Sequence, residues 1–338
     1  MRAIPFAAVS VAIFTFSLSC FAAKEGLEIR PLLSRKASGA TLFSLLPEKY
    51  TGVGYVKNSI SQKSHLRLLK SSTFSDKPSI VGVCSGDFDG DDRPDLFFTY
   101  PYGGHRLFRN LGGFRFEDVT VNSGLLDIVR NHWGVGCCFV DQDGDGDLDI
   151  FVAGTGDVNL LLDNRGNGTF RNLAHELGIA HEGANVQMAF ADYDLDGDLD
   201  GYLVTNLERP VPVAPKGFRV DATIRDGVPI IEEKFRELFD VVFHPTDRIQ
   251  VVEGGEYDHL FRNDGSRFKD VSEEVGLVGT DQGLSASWFD YDDDGFPDLY
   301  VANDFFGPDR LYHNKRNGGF EEVARDVLPH TPWFSMGT

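Results

Sequence analysis

The sequence is poor in positive charge and in cysteine. Its 338 residues contain 32 lysines and arginines against 52 aspartates and glutamates, so the formal net charge is -20. A chain this acidic disfavours binding to nucleic acid and adhesion to an anionic membrane surface, because both partners are themselves negative. Of the 4 cysteines, Cys20 lies in the N-terminal apolar segment. The other three allow at most one internal disulfide.

Long hydrophobic runs are missing after the first 23 residues, so no later segment is expected to span a bilayer. Residues 1–23 are predicted to be a secretory signal, with an apolar core and a small-residue cleavage site. A transmembrane anchor is the alternative, for which the run is short, and a lipoprotein signal at Cys20 would need leucine where Ser17 stands. The mature chain is therefore expected to be secreted, periplasmic or at the cell surface.

What the sequence has in abundance is one acidic nonapeptide, present four times and flanked by β-favouring residues. Loops 1 to 4 are Asp87–Asp95, Asp141–Asp149, Asp192–Asp200 and Asp290–Asp298. Every copy has aspartate at positions 1, 3, 5 and 9. Carboxylates crowded into one turn repel each other unless a cation neutralises them, and oxygen-only ligation favours the hard ion Ca²⁺. The alternative is that these are Asp/Gly-rich hairpin turns without metal.

The predicted ligands are the side chains at positions 1, 3, 5 and 9 and the backbone carbonyl at position 7, for about four Ca²⁺ per chain. They are Asp87, Asp89, Asp91, Arg93 and Asp95; Asp141, Asp143, Asp145, Asp147 and Asp149; Asp192, Asp194, Asp196, Asp198 and Asp200; Asp290, Asp292, Asp294, Phe296 and Asp298. Position 6 is expected to need a positive φ, which glycine supplies in loops 2 to 4, whereas loop 1 has Asp92 there.

The loops are not EF-hands. An EF-hand ends with a bidentate glutamate at its twelfth position and lies between two amphipathic helices. The twelfth positions here hold side chains that cannot ligate, each within a strand-like run: Phe98, Val152, Leu203 and Val301. Each loop is therefore expected to close at position 9 and to continue directly into a β-strand.

A second pattern follows each loop, and together the two define a repeat. The first aspartates fall at 87, 141, 192 and 290, and an Asn/Gly turn between two short strands follows every loop. Strands such as Val135–Val140 and Ser285–Phe289 precede the loops. The unit is strand, loop, strand, strand, turn, strand, which predicts a four-stranded propeller blade. The predicted fold is all-β, a β-propeller of four-stranded blades with calcium-binding Asp-rich loops, incomplete at the C-terminus.

The combination of acidic loop and hairpin, repeated from residue 78 to 338, resembles the FG-GAP/VCBS repeats of integrin α-subunits and bacterial secreted proteins. The fuller pattern resembles the propeller of ASPIC/UnbV (cartilage acidic protein-like) proteins. The resemblance implies a calcium-stabilised extracellular propeller for adhesion or recognition, without known catalysis. Such propellers close with about seven blades, whereas this chain supplies four loops. Trp333–Thr338 resembles the strand before a further loop, so a fragment or an open partial propeller is expected, without the family's C-terminal segment.

Two segments fall outside the repeat. Residues 24–77 are predicted to be an N-terminal extension with a strand at Tyr50–Val56, which completes or caps the first blade. Residues 207–254 form an insert in which Ile231–Phe243 is predicted to be an amphipathic helix. Long insertions in repeat proteins often carry specificity, and a helix that covers an apolar edge is the alternative.

Cysteines and phenylalanines give further expectations. Cys84 and Cys138 each lie three residues before a loop, so a bridge between neighbouring blades is one hypothesis and buried free thiols the other. The hairpin phenylalanines are expected in the core between blades: Phe114, Phe116, Phe170, Phe268 and Phe320.

The leading functional hypothesis is an exported scaffold with structural calcium that binds an extracellular protein or glycan of unknown identity, and that is not an enzyme. One alternative is a carbohydrate-active lyase or hydrolase, since one fold carries many chemistries. Its candidate acids and bases are scattered in sequence, without a nucleophile motif: His105, His132, His181, Glu182 and His259. A lectin that uses Tyr100, Tyr102 and Trp133 is the other alternative, and glycan binding without turnover would separate the two.

Overall fold

The computed structural model describes residues 44–54, 82–100, 104–206, 220–225, 228–235, 239–244, 248–277, 280–304, 307–332, 335 and 337–338. The chain divides into two units, Met1–Leu46 and Pro47–Thr338. Every element given below belongs to the second unit. The predicted signal at 1–23 lies outside the described residues, as do 333, 334 and 336 of the segment Trp333–Thr338.

Four antiparallel blades follow one another along the second unit. Blade 1 is β1 (Val83–Gly86), β2 (Asp95–Phe98), β3 (Arg106–Asn110) and β4 (Phe116–Asp118). Blade 2 is β5 (Gly134–Val140), β6 (Asp149–Val158), β7 (Leu160–Asn164) and β8 (Phe170–Asn172). Blade 3 is β9 (Glu182–Ala191), β10 (Asp200–Thr205), β15 (His259–Asn263) and β16 (Phe268–Asp270). Blade 4 is β17 (Gly283–Phe289), β18 (Asp298–Asn303), β19 (Arg310–Asn314) and β20 (Phe320–Glu322). The predicted all-β fold of an incomplete propeller is confirmed.

The order of elements within each blade follows the predicted repeat. An acidic loop joins the first strand to the second, and a hairpin joins the third to the fourth. Within the described ranges the helices are single turns: α1 (Glu48–Thr51), α2 (Leu125–Val129), α3 (Ala174–Leu177), α4 (Ser272–Val275) and α5 (Ala324–Val327). α3 and α4 end at Gly178 and Gly276, whose φ values of 82° and 86° suit a glycine that stops a helix.

Blades 2 and 3 share one sheet. β6 is ten residues long, and its last residues, Thr155–Val158, pair with the start of β9 at Glu182–Ala184. The two blades thus form one eight-stranded sheet, whereas blades 1 and 4 are separate four-stranded sheets. The main-chain connection between blades 2 and 3 is therefore a hydrogen-bonded ladder as well as a packed interface.

Three hydrophobic clusters fill the spaces between successive blades. The cluster between blades 1 and 2 includes Phe97, Leu107, Ile150 and Leu162. The next is built from Phe151, Leu161, Leu203 and Phe261, and the last from Tyr193, Tyr202, Leu299 and Tyr312. Second and third strands supply most of these side chains because both of their faces are covered by neighbouring blades.

The phenylalanines at the start of the fourth strands bear out the predicted core in blades 2 to 4. Phe170, Phe268 and Phe320 are buried, whereas Phe116 at the same place in blade 1 is half-buried. The prediction for Phe114 is wrong. It occupies the hairpin turn with φ of 58° and is 70% exposed, because a turn residue points away from the sheet.

The helix predicted for Ile231–Phe243 is wrong where the structure describes it. The insert forms two hairpins, β11 (Ala222–Arg225) with β12 (Val228–Ile231) and β13 (Phe239–His244) with β14 (Arg248–Glu253). A 3-10 turn at Glu233–Phe235 separates them. Residues 239–244 read Phe-Asp-Val-Val-Phe-His, whose β-branched and aromatic side chains favour the strand once a partner is available for pairing.

The strand predicted at Tyr50–Val56 is also wrong at its start. Tyr50 and Thr51 belong to α1, whose end is closed by Gly52 at φ of 77°. The Tyr50 hydroxyl donates to the carbonyl of Gly113 at 3.2 Å, so this turn rests against the hairpin of blade 1. Val56 itself lies outside the described residues. None of the helices within the described ranges is long and apolar enough to cross a membrane.

The three described cysteines are free thiols. Cys84 and Cys137 pack against the cluster between blades 1 and 2, whereas Cys138 packs against the cluster between blades 2 and 3. Cys137 and Cys138 are neighbours in β5, and successive residues of a strand point to opposite faces. The hypothesis of a Cys84–Cys138 bridge is therefore wrong, and Cys84 instead faces Cys137.

Candidate metal centres

Each acidic loop is held by its first aspartate. The carboxylate at position 1 accepts hydrogen bonds of 2.6–3.1 Å from backbone N–H groups at position 6 in every loop and at position 5 in loops 1, 3 and 4. The carboxylate at position 5 accepts a bond of 2.9–3.0 Å from the N–H at position 7. These local bonds close a tight turn of acidic side chains.

The aspartate at position 9 is the buried floor of each loop. Asp95, Asp149, Asp200 and Asp298 are 0–2% exposed. One oxygen accepts from the N–H at position 2, at 3.1–3.4 Å, and the other from the N–H of an asparagine on the third strand, at 2.7–2.8 Å. A carboxylate that ends a loop thus also fixes the second strand against the third.

The structure brings predicted ligands together in all four loops. Carboxylate oxygens lie within 4.8 Å of one another in the sets Asp87/Asp89/Asp95, Asp141/Asp143/Asp145, Asp192/Asp194/Asp200 and Asp290/Asp292/Asp298. A further set, Asp292/Asp294/His313, overlaps the last one. Positions 1 and 3 are common to the four loop sets, and position 9 completes three of them. The carbonyls of Arg93, Asp147, Asp198 and Phe296 remain predicted ligands.

Two residues in every loop have positive φ. Position 6 was predicted to do so, and it does: 63° at Asp92, and 92°, 101° and 89° at Gly146, Gly197 and Gly295. Position 4 does so as well, at Gly90, Gly144, Leu195 and Asp293. The sequence prediction missed it because position 4 is glycine in only half of the copies. At Leu195 a φ of 60° is costly for a side chain with a Cβ.

The residues fit a hard divalent cation. The predicted ligands within each nonapeptide are oxygen donors only, the donor type that Ca²⁺ prefers. Asp141 Oδ1 and Asp194 Oδ1 are buried without a hydrogen-bond partner. A buried carboxylate oxygen without a partner is costly, and a cation at the centre of the loop would satisfy it.

Burial disfavours the charged form of these acids. It raises the pKa of Asp95 to about 6 and those of Asp149 and Asp200 to about 7, with hydrogen bonds from the N–H donors acting in the opposite direction. Burial and then the neighbouring position 5 carboxylate raise the pKa of Asp89, Asp143 and Asp194 at position 3. A bound cation would reverse this balance by stabilising the carboxylates.

The side chain beside each loop, on the third strand just before the asparagine, varies among the blades. It is Arg109, Asp163, Arg262 and His313 in blades 1 to 4. The arginines lower, and Asp163 raises, the pKa of the position 3 carboxylate nearby. Asp163 is 6% exposed and paired at 2.7 Å with Arg171. The four loops are therefore alike in backbone but unlike in local charge.

The third-strand asparagine connects each loop to the preceding one, a role that sequence reasoning missed. Its side-chain amide donates to the position 2 carbonyl of the preceding blade's loop: Asn164 to Phe88 at 2.8 Å, Asn263 to Gln142 at 3.4 Å and Asn314 to Tyr193 at 2.8 Å. The signal was present in the sequence, since an asparagine ends the third strand in all four copies, Asn110 included.

A second repeated contact, also missed, lies at the opposite end of the blades. The residue before each third strand accepts a hydrogen bond from a backbone N–H five residues after position 9. The pairs are His105 with Tyr100, Asn159 with Gly154, Asp258 with Thr205 and Asp309 with Asn303, at 2.6–3.0 Å. The accepting residue differs in type among the copies, so the repeat has no shared residue that would reveal this contact in the sequence.

The predicted acid–base candidates form two pairs rather than a scattered set. His105 Nδ1 accepts from the Tyr100 N–H, so its Nε2–H donates to His132 Nδ1 at 3.0 Å, and His132 Nε2–H donates to the Val158 carbonyl at 2.7 Å. Burial lowers the pKa of His105 to about 3 and also lowers that of His132. This buried relay joins blades 1 and 2 and holds both imidazoles neutral.

In the second pair, the ring centroids of His181 and His259 lie 4.2 Å apart. His181 Nδ1 bonds Asn185 and His259 Nδ1 bonds Asp270. Glu182 is exposed in β9. Of the aromatic residues predicted for a lectin, Tyr100 is buried and Trp133 is half-buried, while Tyr102 lies outside the described residues.

A polar groove lies between the hairpins of blades 1 and 2, beside loop 1. Its volume is about 340 Å³, and Phe88 and Val119 contribute apolar side chains to its lining. Asp89, Arg109 and Asn167 contribute hydrogen-bonding groups to its walls. The size is that of a small-ligand site.

The repeat geometry agrees with a known family of repeats. The FG-GAP-like repeat matches residues 87–152, 141–203 and 290–337. The chain carries FG-GAP-like repeats. All four acidic loops lie within the matched residues, and each match begins at a position 1 aspartate.

Similar solved structures are distant. A lectin from Agrocybe aegerita that recognises non-reducing terminal N-acetylglucosamine is 18% identical, with a TM-score of 0.31, over 73% of this chain and 66% of that one. BBS1N in complex with ARL6DN is 15% identical, with a TM-score of 0.31, over 71% of this chain and 68% of that one. The V. cholerae biofilm matrix protein Bap1 is also 15% identical, with a TM-score of 0.30, over 71% of this chain and 38% of that one. The chain thus spans just under two thirds of the lectin and about two fifths of Bap1. Curated proteins give no match.

Proposed function

We propose that this chain is an exported recognition scaffold of the ASPIC/UnbV type whose acidic loops bind about four structural Ca²⁺. The observation that carries the proposal is the convergence of three carboxylates within 4.8 Å in every loop. The partnerless oxygens of Asp141 and Asp194 support it further. Because position 9 is also bonded to the third strand, calcium would stabilise the blade itself and not only its loop.

Export is supported by the sequence of residues 1–23, and the partner class is an extracellular protein or glycan. A blade array held by metal ions presents a rigid surface, on which loops and hairpins can be varied without loss of the fold. We assign no catalysis, since His105, His132, His181 and His259 are all engaged in the hydrogen bonds described above.

The groove between blades 1 and 2 favours glycan binding as the second candidate function. Its carboxylate, guanidinium and amide groups suit a ligand rich in hydroxyl groups, and Phe88 adds an apolar side chain to the lining. A glycan array with the full chain in calcium would test it, with Asn167→Ala as the variant. Glycan release on incubation would instead favour the lyase or hydrolase alternative.

The test of the calcium proposal is thermal unfolding of the full chain in calcium and in EDTA, with bound metal counted. Each site held at a hundred times its Kd should add about 2.7 kcal/mol of unfolding free energy. Asp200→Asn should lower the calcium count by about one, because it removes a buried ligand of loop 3. Asp127→Asn, which changes an exposed aspartate paired with Arg130 outside the loops, is the matched control and should change neither quantity. An unfolding midpoint that EDTA does not move, with no bound calcium, would refute the proposal.

A further inference from the structure

Loop 4 differs from the other loops in the side chain that faces its carboxylates. At the third-strand position where blades 1 to 3 have arginine or aspartate, blade 4 has His313. Its Nδ1 lies 3.2 Å from Oδ1 of Asp298 and 3.7 Å from Oδ2 of Asp292. The edge of the ring contacts Tyr291, with centroids 5.7 Å apart, which restricts its orientation. A nitrogen donor is therefore directed at two predicted metal ligands.

Two sets of donor atoms overlap in this loop. The first contains oxygens of Asp290, Asp292 and Asp298. The second contains Asp292, Asp294 and His313, again with all donor atoms within 4.8 Å. Among the candidate sets in the described part of the chain, it is the one that includes a nitrogen. Loop 4 can thus offer a metal ion either oxygen alone or oxygen with nitrogen.

The charge around loop 4 also favours calcium less than that around loops 2 and 3. Arg316 Nε lies 2.5 Å from Oδ2 of Asp294 and offsets part of the charge at position 5. Position 7 is Phe296, where loops 2 and 3 have an aspartate. Ca²⁺ takes oxygen ligands and depends on their charge, whereas Zn²⁺ binds imidazole nitrogen together with carboxylate oxygen.

We propose that loop 4 is a mixed nitrogen–oxygen site that selects a transition metal of the zinc class over calcium, with His313 as a ligand. The inference rests on the proposed calcium role of the loops and assigns a different ion to one of them. Without metal, a nitrogen that faces two carboxylates carries a proton and donates it. The metal ion would take the place of that proton, which moves to the other ring nitrogen or to solvent.

The test uses the full chain, stripped with EDTA and equilibrated with millimolar calcium and one equivalent of Zn²⁺. After gel filtration the wild type should retain about one zinc and one calcium fewer than in calcium alone. His313→Asn should bind zinc at least about tenfold more weakly, the loss that even an outer-shell partner of a metal typically causes. His259→Asn, a third-strand histidine bonded to a carboxylate outside the loops, is the matched control and should retain zinc like the wild type.

A gain-of-site variant makes the test independent of the folding of His313→Asn. Arg262→His places an imidazole at the same position beside loop 3 and should add a second zinc. The proposal is overturned if the wild type retains no zinc in calcium, if His313→Asn retains as much as the wild type, or if Arg262→His adds none. Calcium bound without zinc would refute the zinc site at loop 4 and leave the calcium proposal standing. Zinc bound through His313 without any bound calcium would support the zinc site and refute the calcium proposal.

Discussion

The side-chain amide of Asn164 donates a 2.8 Å hydrogen bond to the backbone carbonyl of Phe88, 76 residues earlier in the chain. Phe88 occupies position 2 of loop 1, and Asn164 ends the third strand of blade 2. The same asparagine donates to Leu148 at 3.1 Å and accepts from the N–H of Gly166. One buried side chain therefore ties together a loop, a hairpin and the neighbouring blade.

Removal of this amide should destabilise the fold. Asn164→Ala leaves one buried carbonyl, one half-buried carbonyl and one half-buried N–H without their partner. Each buried group that remains unsatisfied costs about 1–3 kcal/mol. Asn110→Ala is the matched control, because Asn110 holds the equivalent position in blade 1 and its side-chain bonds, to Pro94 and Gly112, stay within that blade. Chemical unfolding in calcium should show the larger loss for Asn164→Ala. Equal losses would show that the bond to Phe88 contributes nothing.

Calcium affinity should differ among the loops according to local charge. In loop 1 the position 5 carboxylate, Asp91, is paired with Arg93. Arg93→Gln keeps the backbone carbonyl at position 7 and removes this competing charge, so loop 1 should bind calcium several-fold more tightly. Arg130→Gln, which removes a surface arginine paired with Asp127 away from the loops, is the control. Calcium titration by calorimetry measures both, and an unchanged affinity in Arg93→Gln would contradict the charge argument.

Stabilisation by calcium should grow as the pH rises from about 4 to about 7. Without metal, burial raises the pKa of Asp149 from 3.8 to about 7 in the folded state. A raised folded-state pKa gives stability that is complete below the unfolded value and is lost as the pH rises through the folded value. Calcium would replace the proton and remove that loss. The difference in unfolding midpoint between calcium and EDTA, followed across this range, checks the prediction, and a difference that is flat with pH would contradict it.

The histidine relay should make calcium-saturated protein sensitive to acid. Burial lowers the pKa of His105 from 6.5 to about 3 in the folded state. Its contribution is thus complete above pH 6.5 and is lost as the pH falls towards 3, at up to about 1.4 kcal/mol per pH unit for one proton. His105→Asn introduces the residue that blade 2 uses at the same place, Asn159, and should flatten the stability profile in this window. A variant as steep as the wild type would place the acid sensitivity elsewhere.

The blades and their loops could be predicted from the sequence because both signals are local. Short runs of β-favouring residues define strands such as Val135–Val140, and the aspartates of one loop are neighbours in the chain. The contacts that were missed join distant residues. Asn164 with Phe88, and His105 with His132, become partners only once the blades are packed. The helix prediction for the insert failed for a related reason. A short, largely apolar segment such as Phe239–Phe243 is compatible with a helix or a strand until a second strand pairs with it.

The charge differences among the copies were visible in the sequence, but their effect on the loops could not be predicted from it. One repeat position holds Arg109, Asp163, Arg262 and His313, and only the packed hairpin shows that this position faces the acidic loop. A repeat pattern reports what the copies share. The side chains that distinguish one copy from another require the three-dimensional arrangement.

The ladder between β6 and β9 limits how this repeat could be rearranged in evolution. Blades that meet only through side chains can be duplicated, deleted or exchanged as cassettes, since each cut leaves the main-chain bonds of both pieces complete. A cut between blades 2 and 3 would instead open the pairs between Thr155–Val158 and Glu182–Ala184 and expose two bare strand edges, which invite aggregation. We therefore expect blades 2 and 3 to be retained or lost together.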